Sequence, residues 1–307
     1  MRKRRPKIIV VGSSNTDMIV RVAHIPRPGE TILGGEFLTA AGGKGANQAV
    51  AAARAGGRVT FIGRVGRDSL GAAALAGLKR EGIDTRRVMC DASQPSGVAL
   101  IFVADNGENS IAVASGANAT LSVEDIRNAR QSFRDARVML VQLETPLATV
   151  RAAIHEARRA GALVILNPAP AQRLPDDVLG KVALLTPNET EAELLTGTKV
   201  KNIHSAKLAA RKLRSRGVHT VVMTLGKRGA LISSTDGEVL IKGFAVKAVD
   251  TTAAGDVFNG ALAVALAEGR ALREAVRFAN AAAALSVTSR GAQPSVPQRK
   301  NIEKLLS

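Results

Sequence analysis

The chain has 307 residues, and its 43 Lys and Arg against 26 Asp and Glu leave a formal charge of +17. That length fits one large α/β domain or two modest ones, and a hydrophobic content of 46% excludes global disorder despite the charge. A single cysteine, Cys90, excludes an intramolecular disulfide and a Cys-cluster zinc site, and makes a reducing, cytoplasmic setting the default.

In chain order, the basic start Arg2–Lys7 leads into an apolar run at Ile8–Val11, which reads as a strand. It is too short for a signal-peptide core, and no later run approaches the ~18–20 residues that span a bilayer. Met18–Leu38 alternates loosely around Pro26, Pro28 and Gly29. A helix is expected over Ala46–Ala55, a strand over Val59–Val65 and a helix over Leu70–Glu81. Val98–Val103 and Ser110–Ala114 flank Asp105-Asn106-Gly107-Glu108 and read as a hairpin. Further strands are expected at Val138–Leu143, Leu163–Leu166, Ala183–Leu185 and Thr220–Thr224. Helices are expected at Leu147–Ala160, Glu189–Leu195, Ser205–Arg216, Gly255–Glu268 and Leu272–Thr288. Mostly continuous apolar strands alternating with helices imply a largely parallel sheet covered on both faces. The two off-rhythm segments, approximately 18–40 and 97–115, imply a small extra sheet serving as a lid or dimer interface on one domain of residues 1–307.

The positive charge sits at residues 2–7, from Arg54 to Arg87, and in the acid-free stretch Lys199–Arg216. The last reads as a solvated helix, His204–Arg216, with Leu208 and Leu213 inward and Lys207, Arg211 and Arg214 outward. With no Trp and no Tyr to stack bases, the charge implies only weak, salt-sensitive adhesion to nucleic acid and no specific nucleic-acid partner.

Two common phosphate motifs are absent. Gly43-Lys44 is followed by Gly45 and Gly226-Lys227 by Arg228, so neither completes a Walker A sequence, and no G-x-G-x-x-G follows the first strand. The strongest stretch runs from Asp250 to Gly260. Small residues Ala253, Ala254 and Gly255 at a helix start leave backbone N–H groups approachable by an anion. Asp256 beside them is either a proton acceptor for a nucleophile or a plain helix-capping residue. Gly42–Ala49 lies at another loop-to-helix junction, where Asn47 suits sugar hydroxyls, or the glycines serve a turn. Asn15 and Asp17 follow the first strand and suit either hydroxyls or Asx turns. Glu144, the run Thr186–Glu191 and the run Thr224–Gly229 also fall at strand C-termini, where one ligand edge could collect them. Asn167–Pro170 lies there too and is open to reading as a rigid turn.

Together these residues resemble the ribokinase family of sugar and nucleoside kinases, the pfkB-type carbohydrate kinases. The match rests on Gly12-Ser13-x-Asn15-x-Asp17, Gly43-Lys44-Gly45-Ala46-Asn47-Gln48-Ala49, Asn188-x-x-Glu191, Asp250-Thr-x-Ala-Ala-Gly-Asp256 and Gly291–Ser295, and runs from about Lys7 to Leu306. The resemblance implies a three-layer α/β/α sandwich with a mostly parallel central sheet and a small β-sheet lid. It implies ATP-dependent phosphorylation of D-ribose at the 5-hydroxyl, with 2-deoxyribose or nucleoside phosphorylation as alternatives and a non-catalytic sugar-binding regulator as a more distant one. Asp256 would be the base, with Ala253, Ala254, Gly255 and Asp256 supplying the anion hole. Asn15, Asp17, Gly43, Lys44, Asn47 and Glu144 would contact the sugar. Asn188, Thr224, Gly226, Gly229, Gly255 and Asn280 would surround ATP. Glu191 would place Mg²⁺ through water. Asp250, Thr252, Ser286, Ser289, Gly291 and Ser295 would hold a monovalent cation, K⁺. A homodimer through the lid and no membrane partner are implied as well. No family feature accounts for the +17 charge.

Overall fold

The computed structural model describes residues 5–33 and 35–307; residues 2–4 of the basic start, and Gly34 within the expected lid segment, lie outside them. The first half runs β1 (Lys7–Val11), β2 (Asn15–Val22), β3 (Phe37–Gly42), α1 (Lys44–Arg54), β4 (Arg58–Gly66), α2 (Ser69–Arg80), β5 (Asp84–Asp91), β6 (Gly97–Ala104) and β7 (Asn109–Ala114). It continues through α3 (Val123–Asn128), β8 (Val138–Val141), α4 (Leu147–Arg159), β9 (Leu163–Leu166), α5 (Asp176–Leu179), β10 (Leu184–Leu185), α6 (Glu189–Thr196) and α7 (Ile203–Ser215). The chain ends with β11 (Thr220–Thr224), β12 (Ala230–Ser234), β13 (Gly237–Ile241), α8 (Ala254–Ala267), α9 (Leu272–Ser286) and α10 (Arg299–Leu306).

Among the described residues, nine strands form the central sheet in the order β13-β12-β11-β10-β9-β8-β1-β4-β5. The pairings from β11 through β5 are parallel, and the β12–β13 hairpin adds two antiparallel strands at one edge. Alternation along β1 shows why both faces need helices. Ile9 and Val11 enter a core with α3, α4, α6 and α7, while Ile8 and Val10 enter the other with α1, α8 and α9. All four are fully buried, and each such side chain stabilises the fold by about 1.5–3 kcal/mol.

The second sheet has the order β3-β2-β6-β7, with β2 parallel to β6 and the outer pairs antiparallel. Its strands are Asn15–Val22 and Phe37–Gly42, not a continuous run across 18–40, so the small sheet begins at Asn15 itself. Helix α7 differs from expectation. Leu208 is 41% exposed, and Ala206, Ala209, Ala210 and Leu213 form the inward face. Alanines on that face let α7 approach closely, which moves the buried stripe off Leu208.

Candidate active site

Parallel topology brings the C-terminal ends of β1, β8, β9, β10 and β11 to one edge, where Asn15, Glu144, Asn167, Asn188 and Thr224 converge. Helix α1 enters this edge through Gly43, whose φ of 87° favours glycine. A Cβ there would lie 2.6 Å from the Asn15 backbone nitrogen. Gly42 is equally constrained, since a Cβ would sit 2.2 Å from the Asp17 carboxylate. The glycines therefore let Asp17 and the start of α1 share one crevice.

Lys44 is the first residue of α1 and lies within electrostatic reach of Asp256, Glu144, Glu191 and Asp17. Burial alone would depress its ammonium, but those four carboxylates outweigh burial and raise it. Glu144 accepts from the Lys44 backbone N–H at 3.1 Å and from the Ser13 hydroxyl. Asp17 is raised to about 6, first by burial and then by the charges of Glu144 and Asp256. Asn15 is buried, and its Oδ1 accepts from Asn118 Nδ2 at 2.7 Å.

Asp256 sits in the first turn of α8 and is 6% exposed. Its Oδ2 accepts from Asn47 Nδ2 at 3.2 Å, and its Oδ1 from Gln48 Nε2 at 3.0 Å. Burial pushes its carboxyl above the ordinary value, while Lys44, Gln48 and Asn47 pull the other way. Gln48 Nε2 also donates to Asn167 Oδ1 at 3.1 Å, and Gln48 Oε1 accepts from Gln142 Nε2 at 2.6 Å. These contacts fix which way the Gln48 amide points. Asn47 Oδ1 is buried without a partner among the described residues, an acceptor left for a ligand.

Ala253 caps α8 with φ 59°, a left-handed conformation uncommon for a side-chain-bearing residue. The Ala254 N–H donates to the Thr251 carbonyl at 3.2 Å. Those of Gly255 and Asp256 find no acceptor among the described residues, as the first turn of a helix leaves them. At this helix start the N–H groups of Gly255 and Asp256, more than that of Ala254, are open to an acceptor. A buried carboxylate thus lies on the same helical turn as open amides, with a lysine and three further acids in its field.

The sequence of residues 5–299 matches the model of the pfkB family carbohydrate kinases. The chain belongs to that family. It is 46% identical to ribokinase of Haemophilus influenzae over 98% of this chain and 99% of that one. It is 40% identical to deoxyribokinase of Salmonella typhimurium over 98% of each. Among solved structures, Arabidopsis thaliana ribokinase complexed with ribose and ATP superposes with a TM-score of 0.92 at 35% identity, covering 99% of both chains.

Within this pfkB-family site, the remaining expected residues hold varied positions. Asn188 and Glu191 form a reciprocal cap on α6. Asn188 Oδ1 accepts from the Glu191 N–H at 2.8 Å, while Glu191 accepts from the Asn188 N–H at 2.8 Å and from Asn188 Nδ2 at 3.0 Å. Burial raises the Glu191 carboxyl, against the Asn188 N–H and Lys44, and Asp256 lies in its field. Thr224 ends β11, and Gly226 (φ 54°) and Gly229 (φ 99°) bracket a short turn against Ile241 and Gly243. Asn280 is tied elsewhere: its Nδ2 donates to the carbonyls of Ile241 and Lys242 at 3.0 and 3.3 Å, holding the segment after β13. Asp250 accepts from the N–H groups of Thr252 at 2.9 Å and Gly291 at 2.8 Å. Burial works against these bonds, which nevertheless hold its carboxyl below the usual value. The Val249 and Asp250 N–H groups both donate to the Val287 carbonyl, so the Asp250 and Ser286–Ser295 segments do meet. The Ser286 carbonyl already accepts from the Ser289 N–H at 3.2 Å, and Ser295 Oγ donates to the Ala292 carbonyl at 2.8 Å.

Sequence reading missed Gln48, Asn118 and Gln142 as parts of this site, and left Asn167 at the ligand edge or in a rigid turn. Gln48 lay inside the quoted glycine motif, yet its partners are 94 to 208 residues away.

Proposed function

We propose that the chain transfers the γ-phosphoryl group of ATP to the 5-hydroxyl of D-ribose, releasing ADP and D-ribose 5-phosphate. The observation that carries this is Asp256, buried and held at both oxygens beside the open N–H groups of Gly255 and Asp256. Asp256 takes the proton of the primary hydroxyl as that oxygen bonds to the γ-phosphorus, and the bond to the β–γ bridging oxygen breaks toward ADP. The amides stabilise charge on the transferring oxygens, and this term suits a loose phosphoryl transition state. Asn15, Asp17, Gly43, Lys44, Asn47 and Glu144 hold the sugar, with the unpartnered Asn47 Oδ1 accepting from a hydroxyl. The Thr224–Gly229 turn, Asn188 and Asn280 border the nucleotide.

Mg²⁺, when bound with ATP, neutralises phosphate charge. Both Glu191 oxygens are engaged by Asn188, which suits holding the metal through water without direct ligation. Asp250, with the carbonyls of Thr252, Ser286, Ser289 and Gly291 and the hydroxyl of Ser295, makes an oxygen-rich set that fits K⁺. Activity then rises on adding K⁺ at constant ionic strength, and Asp250→Ala loses most of that response. Equal rates in K⁺ and a bulky organic cation would remove the site. The small sheet serves as the lid of one ribokinase-like unit and as the surface of a homodimer. A cytoplasmic setting fits the free thiol of Cys90, and no helix among the described residues is long and apolar enough to cross a membrane.

The 40% identity to a deoxyribokinase favours a second reading, 2-deoxyribose as substrate. A coupled ADP-release assay over ribose, 2-deoxyribose and nucleosides decides between them. A missing hydroxyl leaves buried polar groups unpaired at about 1–3 kcal/mol, so ribose is expected to lead in kcat/KM by roughly tenfold or more. Equal or reversed preference would select the sibling activity, and sugar binding without turnover would select the regulator.

A further inference from the structure

The active edge gathers carboxylates; the opposite edge of the central sheet, where its strands begin, gathers cations. Two clefts open there. One of about 1180 Å³ is lined by seven Lys and Arg side chains and two glutamates, and one of about 430 Å³ by four Lys and Arg side chains and one aspartate. Together they carry about half of the chain's +17 charge. The residues come from all along the sequence, from Arg5 to Lys300, so folding creates a concentration that the sequence does not display.

The acids of these clefts are already paired. Glu81 binds Arg54 at 2.6 Å, Glu268 binds Arg299 and, at 3.1 Å, Arg270, and Asp84 binds Arg86 at 2.7 Å. Among the described residues, Arg80, Arg137 and Lys300 of the larger cleft, and Arg58 and Arg87 of the smaller, form no ion pair. The two clefts flank the start of β1. Pro6 lines one and Lys7 the other, the Arg58 N–H donates to the Pro6 carbonyl, and the Arg137 N–H donates to the Lys7 carbonyl. Arg58 thus opens β4 and Arg137 directly precedes β8, the strands either side of β1, and neighbouring strands are only about 4.8 Å apart. Burial and the Arg58 charge both press the Lys7 ammonium below its ordinary value. Repulsion of this kind is relieved by a bound anion.

Guanidinium groups suit phosphate oxygens, which they bind in a bidentate fork. Base stacking has no platform here. The chain lacks Trp and Tyr, and Phe278 beside the larger cleft is 1% exposed and covered by the Arg270 guanidinium at 4.5 Å. We propose that this face is a binding site for a linear phosphate polyanion of the inorganic polyphosphate type, which lies across both clefts and is held by Arg58, Arg80, Arg137 and Lys300.

The test titrates linear inorganic polyphosphate into the full chain with ATP and ribose sites saturated by a non-hydrolysable ATP analogue and ribose. Two charge-matched double variants are compared: Arg80→Glu with Arg137→Glu at the clefts, and Lys207→Glu with Lys212→Glu on α7. Circular dichroism and ribose kinase turnover verify folding. The cleft pair is expected to weaken polyphosphate binding at least about tenfold, and the α7 pair by less than about threefold, as localised rather than diffuse charge requires. Equal weakening by both pairs, or no binding at low salt, overturns the site. Single-stranded DNA of equal charge binding as tightly, with the same loss in the cleft pair, overturns the choice of polyphosphate in favour of nucleic acid. Should the cleft pair misfold, Arg58→Gln with Arg87→Gln is judged by the same criteria.

Discussion

Asp256 must be ionised to accept a proton, yet burial opposes its charge. Asn47, Gln48 and Lys44 supply the counterweight. Asp256→Asn keeps the shape and loses the base, so kcat is expected to fall at least ~10²-fold while ATP affinity, measured by calorimetry, stays within about twofold. Gln48→Met removes one donor without touching the sugar. The carboxyl then rises further, and because the base works only when deprotonated, the acid limb of the kcat/KM profile should move to higher pH. An unmoved limb with a uniformly lower rate would reduce Gln48 to packing. Asp17 allows the opposite sign to be worked out for stability. Its folded value of about 6 exceeds its ordinary 3.8, so its favourable contribution is present below about pH 4 and lost as pH rises through 6. The ionised form costs the unliganded fold roughly 3 kcal/mol. Asp17→Asn should therefore raise Tm at pH 8 by several degrees, leave it unchanged near pH 4, and raise the KM for sugar. The placement of Asp17 and Asp256 was legible because they sit in motifs near element starts. The bonds of Gln48 to Gln142 and Asn167 were not, because only the folded sheet brings residues 94 to 119 positions apart into hydrogen-bond range.

At the level of elements, α6 shows how a motif read for ligands also has a structural duty. The Asn188–Glu191 pair satisfies the first N–H groups of the helix reciprocally. Glutamine closes the same box, so Glu191→Gln should hold Tm within about a degree while raising the Mg²⁺ concentration needed for half-maximal rate. Asn188→Ala opens it and should destabilise the protein by about 1 kcal/mol in denaturant titration. Equal Mg²⁺ requirements in Glu191→Gln and the parent would leave Glu191 a cap alone. The buried strands and long helices were legible because apolar runs and 3.6-residue periods are strong signals. Strand β5 escaped because Asp84, Arg86, Arg87 and Asp91 interrupt it at the sheet edge, where one side is free of neighbours. The β12–β13 hairpin carried a readable Asp236-Gly237 turn between two apolar runs. The helical rhythm on either side hid it.

Across the whole molecule, several of the large exposed apolar side chains lie on the small sheet. Phe37 is 60% and Leu100 49% exposed on one face of the small sheet, and Ile111 55% and Val113 50% on the other, the face of Asp17. Exposure of this kind on both faces suits the proposed roles of the sheet as dimer surface and lid. Strand β7 is also an edge, with its N–H and C=O groups unpaired on one side, which invites a second copy. The same sheet begins at Asn15 and carries Asp17, so in the proposed reading its position would set the sugar contacts while the nucleotide would rest on β11 and α6 of the central sheet. Breaking the interface should therefore loosen sugar binding more than ATP binding. Leu100→Glu places a charge among the exposed side chains on the face turned away from Asp17. Sedimentation should change from dimer to monomer, and the KM for ribose should rise at least about fivefold with the KM for ATP within about twofold, the asymmetry expected when a closing element is lost. A parent chain that sediments as a monomer would remove the dimer from this reading. A dimer that dissociates in Leu100→Glu with both KM values unchanged would leave the lid working within each subunit on its own.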